Sequence, residues 1–216
     1  MKRAYNFNNI LYDQIILKNQ NNKILIKYLN DNKKTNMYIE TPELSIKDIN
    51  QTKNILSICL YLDSSRDDVE EFIKFLSEVD RNIVSQCYNH KEWFNEDKIH
   101  YKAIIRNDDN DLYIKLKISN ESINSLKLTW DEEEINLNDL KINNKVKLII
   151  NIQGLWKKDN NCGIYIKPYL IKKIDPIDIF FNDSELLSSE DNLEFNLDSE
   201  GNSNITNNLN YKNNNH

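Results

Sequence analysis

Apolar and polar residues alternate through much of this chain, and a period of two is the signature of strands with one buried face. KILIKYL (23–29), MYIETPELSI (37–46) and NILSICLYL (54–62) read as three short strands. Pro42 predicts a bend or an edge in the second, because it has no N–H to give to a ladder. HYKAIIR (100–106), DLYIKLKIS (111–119) and SLKLTW (125–130) add three more, with NDDND as a turn between the first two. The longest alternation, NNKVKLIINIQGLWKKDNNCGIYIKPYLIKKID (143–175), reads as a hairpin closed by a charged, Asn-rich tip. One stretch changes period. In SSRDDVEEFIKFLSEVDRNIVSQCYNH (64–90), Val69, Phe72, Ile73, Leu76, Val79, Ile83 and Val84 recur at helical spacing. Ser64 or Ser65 can cap this helix, and acids in its first turn complement the dipole.

Many short strands with one substantial helix point to a β-rich domain, all-β or α+β, built as a small barrel or curled sheet. A parallel α/β sheet is disfavoured because strands and helices do not alternate regularly. Residues 1–22 form a weakly periodic N-terminal extension, 23–181 the domain, and 182–216 an Asn- and Ser-rich tail. The tail is expected to be disordered, since it has too few apolar residues to offset the entropy of ordering.

Strict alternation assigns the strand faces. In KVKLIINIQGLW, Val146, Leu148, Ile150, Ile152, Gly154 and Trp156 share the core face, and Lys145, Lys147, Ile149, Asn151, Gln153 and Leu155 the other. In GIYIKPYLIKKI, Ile164, Ile166, Pro168 and Leu170 fall on one face, and Tyr165, Lys167, Tyr169, Ile171 and Lys173 on the other. In DLYIKLKIS, Tyr113, Lys115 and Lys117 point outward. Gly154 and Gly163 bracket the tip and predict a bulge or a close backbone approach. Trp156, at the foot of the tip, suits either the core or a stacking platform.

Charge sharpens this picture. The net charge is −6, and residues 183–216 hold seven acids against one base, so the rest of the chain is about neutral. Within that neutral body, eight lysines and a single acid, Asp159, fall between Lys141 and Lys173. Lysines neutralise phosphates, and tyrosines stack on unpaired bases without regard to their identity. The same pattern also suits the wet face of an ordinary sheet, where lysines discourage edge pairing. In the tail, Leu193, Phe195 and Leu197 stand among acids either as a partner-docking motif or as incidental apolar residues of a solvating tail, and the acids can mimic a nucleic-acid backbone.

Composition excludes more than it selects. Asn makes up a sixth of the chain, but Asn, Lys and Ile share AT-rich codons and the bias carries no chemistry. Cys59, Cys87 and Cys162 are widely spaced, which predicts free thiols in a reducing compartment. There is no apolar run of membrane-spanning length, so a soluble, intracellular, cytoplasmic protein with no membrane partner is expected. No phosphate loop, GxSxG or HExxH is present. The acid run Asp131–Glu134 reads as a solvated connection, and His90 and His100 have no evident partners. No enzyme, cofactor or metal is expected.

The order of helix, EWF (Glu92, Trp93, Phe94), YKAIIR, IKLKI, TW and the GLW…GIYIKPY hairpin resembles the OB-fold single-stranded DNA-binding proteins of large cytoplasmic DNA viruses. More loosely it is similar to phage replication proteins that pair an OB barrel with an acidic C-terminal tail. The resemblance covers roughly residues 66–175. It implies an OB-like barrel that coats exposed single strands in replication, recombination or repair, in the host cytoplasm if the protein is viral. It implies that Lys147, Trp156, Tyr165, Lys167 and Tyr169 line a groove. Adding the outward and tip residues Tyr113, Lys115, Lys117, Lys145, Lys157 and Lys158 completes the expected nucleic-acid surface. The expected partner is single-stranded DNA, or RNA, with replication proteins on the tail. The alternative is a non-catalytic interaction or structural factor.

Overall fold

The alternating runs fold into strands that share one curled sheet. The structure, a computed structural model, describes residues 4–21, 23–94, 100–108, 111–123, 125–158 and 160–174. The chain divides into two units, 1–176 and 177–216, and everything described belongs to the first. The tail motif Leu193, Phe195 and Leu197 and the expected disorder of 182–216 lie outside the described residues.

In chain order the elements begin with β1 (Tyr5–Asn6), β2 (Ile15–Gln20), β3 (Lys23–Asn30), β4 (Lys33–Thr35), β5 (Met37–Glu40), β6 (Leu44–Gln51) and β7 (Ile55–Tyr61). The helix α1 (Asp67–Asn89) follows, then β8 (His100–Lys102), β9 (Ile105–Asp108), β10 (Asp111–Ser119) and the single turn α2 (Asn120–Ile123). The last elements are β11 (Lys127–Trp130), β12 (Glu133–Glu134), β13 (Lys145–Lys158) and β14 (Asn161–Ile174). Five of these form the barrel wall, in the order β14-β13-β6-β7-β10. Across the remaining gap, Tyr165 on β14 donates its hydroxyl to the carbonyl of Lys117 on β10 at 3.0 Å. Five strands in that ring order make an OB-like barrel, partly open at the β10–β14 seam.

The inward residues are those that alternation predicts over most of the wall. Leu44 and Ile46, Leu56, Ile58 and Leu60, Ile114, Leu116 and Ile118, and Val146, Leu148, Ile150 and Ile152 are all buried in one cluster. The helix adds Val69, Phe72, Phe75, Leu76, Val79 and Ile83 to it. Two details of the helix differ from expectation. Phe75 is buried whereas Val84 is 41% exposed, because the buried stripe is centred on the Phe72–Leu76–Val79 line. The helix begins at Asp67 after Arg66, which makes no side-chain cap, while Ser65 hydrogen-bonds Asp63 and so is not a cap.

Pro42 divides the expected strand 37–46 into β5 and β6. The side chain of Thr41 repairs the ladder there. Its N–H donates to Leu148 O at 2.9 Å, and its hydroxyl oxygen accepts from Leu148 N–H at 3.0 Å. Strand β13 then has three successive partners along one side: β6 at Lys145 and Val146, β5 from Ile149 to Ile152, and β3 at Gly154 and Leu155. The approach of β3 explains Gly154, since a Cβ there would lie 2.4 Å from Ile24 O. The N-terminal segment packs on the same body: Phe7, Ile10 and Ile15 are buried in the main cluster and β2 pairs with β3.

Turns that need a left-handed residue use Asn, Asp or Glu here. Asp31 and Asn32 join β3 to β4, and Asp131 and Glu132 join β11 to β12, all with φ between 49° and 70°. Two consecutive residues with positive φ between paired strands form a type I′ turn, whose twist matches the hairpin. The acid run is therefore a turn plus an exposed edge strand. Among the described residues no group of three or more His, Cys, Asp or Glu could hold a metal. Among the same residues no helix is long and apolar enough to cross a membrane.

Candidate nucleic-acid interface

The outward face of the barrel is built from strand register. Lys145 is paired with Ser45, Ser45 with Tyr61, Tyr61 with Tyr113, and Tyr113 with Arg106. Directly paired residues point to the same side of a sheet, so these five form one row across β13, β6, β7, β10 and β9. With strands about 4.8 Å apart, the row is about 19 Å long. Arg106 is exposed and the other four are half-buried. Lys115 and Lys117 lie on the same face, beside Cys59 and Ser57 of β7. A bulge at Lys47 in β6 turns that lysine toward the row as well. Its ammonium sits 5.1 Å from the Tyr113 ring centroid and 2.9 Å from an Asp111 carboxylate oxygen, and that hydrogen bond raises its pKa.

Two further bulges change the faces expected for the hairpin. Ile149 pairs with Leu170 but Ile150 with Pro168, so Tyr169 is the extra residue in β14. Beyond it the alternation reverses. Ile171, expected outward, is buried in the core, and Lys172 rather than Lys173 shares the outward face with Lys147. In β13, Ile152 pairs with Ile166 but Gly154 with Tyr165, leaving Gln153 as the extra residue. Gly154 and Trp156, expected on the core face, therefore share the face of Tyr165, and Leu155 turns inward to pack on the core.

The outward hairpin residues have distinct surroundings. Lys147 is exposed and pairs with Glu40 at 2.8 Å. Tyr165 is half-buried, and burial raises its phenol pKa. Lys167 donates to Ser125 Oγ at 3.3 Å, in the segment that leads into β11. Tyr169 packs edge-on against Tyr38, with centroids 5.4 Å apart. Trp156 lies across Gly163, where a Cβ would meet its indole at 2.9 Å.

The tip separates from the row. Lys157 pairs with Cys162, on the opposite face from Trp156, and donates to Trp93 O at 3.1 Å. Its ammonium is 5.5 Å from the Phe94 ring. Lys158 remains exposed. Twelve residues of extended strand, about 40 Å, separate Lys157 from Lys145. The structure thus gathers Tyr113, Lys115, Lys117, Lys145 and Lys147 on one face, joins Tyr165 to it at the seam, and leaves Lys157 and Lys158 at the far end.

Sequence reasoning missed Tyr61, Arg106 and Lys172 as surface residues. Tyr61 and Arg106 each occupy an alternate position of a predicted strand, so face assignment extended to those strands would have found them.

No family model matches the chain, and no curated protein matches it. Among solved structures it is similar to the single-stranded DNA-binding protein from bacteriophage Enc34, at 14% identity over 79% of this chain and 97% of that one, with a TM-score of 0.46. The same phage protein in complex with single-stranded DNA gives 13% identity over 78% and 99% of the two chains, with a TM-score of 0.43. The single-stranded DNA-binding protein gp2.5 encoded by bacteriophage T7 gives 10% identity over 73% and 98%, with a TM-score of 0.41.

Proposed function

We propose that the protein binds single-stranded DNA, without sequence preference and without catalysis, on the outward face of its barrel. The observation that carries this reading is the row Lys145–Ser45–Tyr61–Tyr113–Arg106. Cations stand at both ends of the row and two tyrosines at its middle. Lysine and arginine neutralise phosphates along a strand, while tyrosine rings accept any base. Duplex DNA hides its base faces, so the aromatic part of the surface favours unpaired strands. Coating of exposed strands during replication, recombination or repair is the role that fits such a surface. In this reading the acids of 183–216 compete with DNA for the basic face, and replication proteins dock on Leu193, Phe195 and Leu197.

The test is fluorescence anisotropy of the full chain with a labelled oligo-dT of about thirty nucleotides, longer than one OB site, beside a duplex of equal length. Tight, salt-sensitive binding to dT and weak binding to duplex is the expected result. Replacing the seven tail acids by Asn or Gln is expected to strengthen dT binding. No binding to dT at low salt overturns the reading and leaves an interaction protein.

A further inference from the structure

A second basic and aromatic surface lies on the distal half of the hairpin, away from the row. There the sheet continues beyond the barrel wall through β2, β3, β13, β14 and β8. Its inner side is closed by the apolar cluster of Ile24, Phe94 and Cys162. Register fixes what stands on the other side. Trp156 is paired with Gly163, and Gly163 with Lys102. Tyr165 is paired with Gly154, Gly154 with Leu25, and Leu25 with Lys18. Directly paired residues share a face, as do residues two apart in one strand, so Trp156, Tyr165, Lys18, Lys102 and Lys158 all stand there. The three lysines are exposed and the two aromatics half-buried. Among the described residues these rows hold no acid, and the one acid of the hairpin, Asp159, falls outside the described residues. Gly163 seats the tryptophan: a Cβ there would come within 2.9 Å of the indole, so the ring rests against the β14 backbone on the side opposite the apolar cluster.

We propose that a single strand bound on the row turns at Tyr113, follows Lys115 and Lys117 to the seam, passes Tyr165 and sets a base on the indole of Trp156, with Lys102 and Lys158 on the adjoining phosphates. The proposal rests on the single-strand reading and extends it along a second arm, outside the barrel wall. The two surfaces are joined. Lys115 and Lys117 follow Tyr113 on the outward face of β10, over about 13 Å of strand. The carbonyl of Lys117 then accepts from the Tyr165 hydroxyl, and Tyr165 is two positions from the Gly163 that seats Trp156. Lysines recur along the whole path, and aromatic rings stand at its start, its corner and its end. That alternation matches a polyanion with a base at every phosphate: cations neutralise the backbone, and the rings stack on bases of any identity.

The experiment is photocrosslinking of the full chain to an oligo-dT of about sixteen nucleotides, the upper end of one OB site, carrying 5-iododeoxyuridine at single positions. Adducts are mapped by mass spectrometry. Labels toward one end are expected on Trp156 and labels toward the other on Tyr61 or Tyr113. Trp156→Ala is expected to weaken dT binding about tenfold, the scale of one lost stacking partner. Because the indole also covers Gly163, a Lys102→Glu, Lys158→Glu double variant at exposed positions is the companion, and it is expected to weaken dT binding with an unchanged Tm. Adducts confined to Tyr61 and Tyr113, with both variants binding as the parent does, overturn the second arm and leave the single-strand reading standing. Saturation at two oligonucleotides per chain overturns the continuous path. Absence of adducts together with absence of dT binding overturns the underlying reading itself.

Discussion

The hydroxyl of Tyr165 donates to the backbone carbonyl of Lys117 at 3.0 Å, and this bond spans the seam where β14 and β10 meet without a ladder. Tyr165→Phe keeps the ring and deletes only that bond. It is expected to cost about 0.5–1.5 kcal/mol in urea denaturation while leaving dT affinity nearly unchanged. A large loss of dT affinity with unchanged stability would mean that the hydroxyl contacts the ligand instead.

Gly154 stands where β3 crosses β13. A Cβ there would lie 2.4 Å from Ile24 O and 3.3 Å from the Leu25 Cα, both fixed backbone atoms. Gly154→Ala is therefore expected to destabilise by about 1–3 kcal/mol, the usual cost of overpacking. Equal urea midpoints for variant and parent would show that β3 does not hold this position in solution.

Thr41 restores hydrogen bonding where Pro42 breaks the strand, and it is buried to 1% exposure. Thr41→Val keeps the shape but leaves the Leu148 N–H without its acceptor. The expected loss is about 1–3 kcal/mol, the penalty of a buried unsatisfied donor. Hydrogen exchange at Leu148 gives the local readout, with faster exchange expected in the variant.

Asp80 on α1 accepts from the Tyr101 hydroxyl and, at 2.8 Å, from the Ile104 N–H. Burial pushes its carboxyl above the usual 3.8, against the lowering effect of these two bonds. The folded chain thus keeps this proton at pH values where the unfolded chain has released it. Stability falls with rising pH wherever the native state binds more protons. The contribution is complete below the unfolded value and is lost as pH climbs through the folded one. As pH rises above about 4, the parent is expected to lose stability relative to Asp80→Asn, read as a narrowing difference in Tm. Parallel pH profiles for the two proteins contradict the assignment.

How much of this was legible in the sequence depends on where the register stays regular. Alternation placed Leu112 to Ile118 and Val146 to Ile152 correctly because those runs contain no inserted residue. It failed beyond Gln153 and Tyr169, because each bulge adds one residue and reverses every face after it. Pro168, which cannot donate to a ladder, marks this part of the strand as an edge or a bulge, but it does not say which neighbouring residue is the extra one. The Lys172–Lys173 doublet was ambiguous for the same reason: which lysine faces outward depends on the bulge upstream. The row itself was not legible, since it needs the cross-strand partners of Ser45 and Tyr61, and pairing between distant segments is a tertiary property. The helix was legible from its stripe, apart from Phe75 and Val84 at the margins of that stripe.

The central claim is that the row on the outward face takes the phosphates of a single strand. Its most direct test is the salt dependence of dT binding in the full chain and in a Lys145→Ala, Arg106→Ala double variant. Each phosphate contact to a single strand contributes about 0.7 to the slope of log K against log salt. The account predicts that the slope of the double variant is shallower by about 1.4, with weaker binding at low salt and an unchanged Tm. Identical slopes and affinities for the two proteins would place the DNA elsewhere and contradict the account.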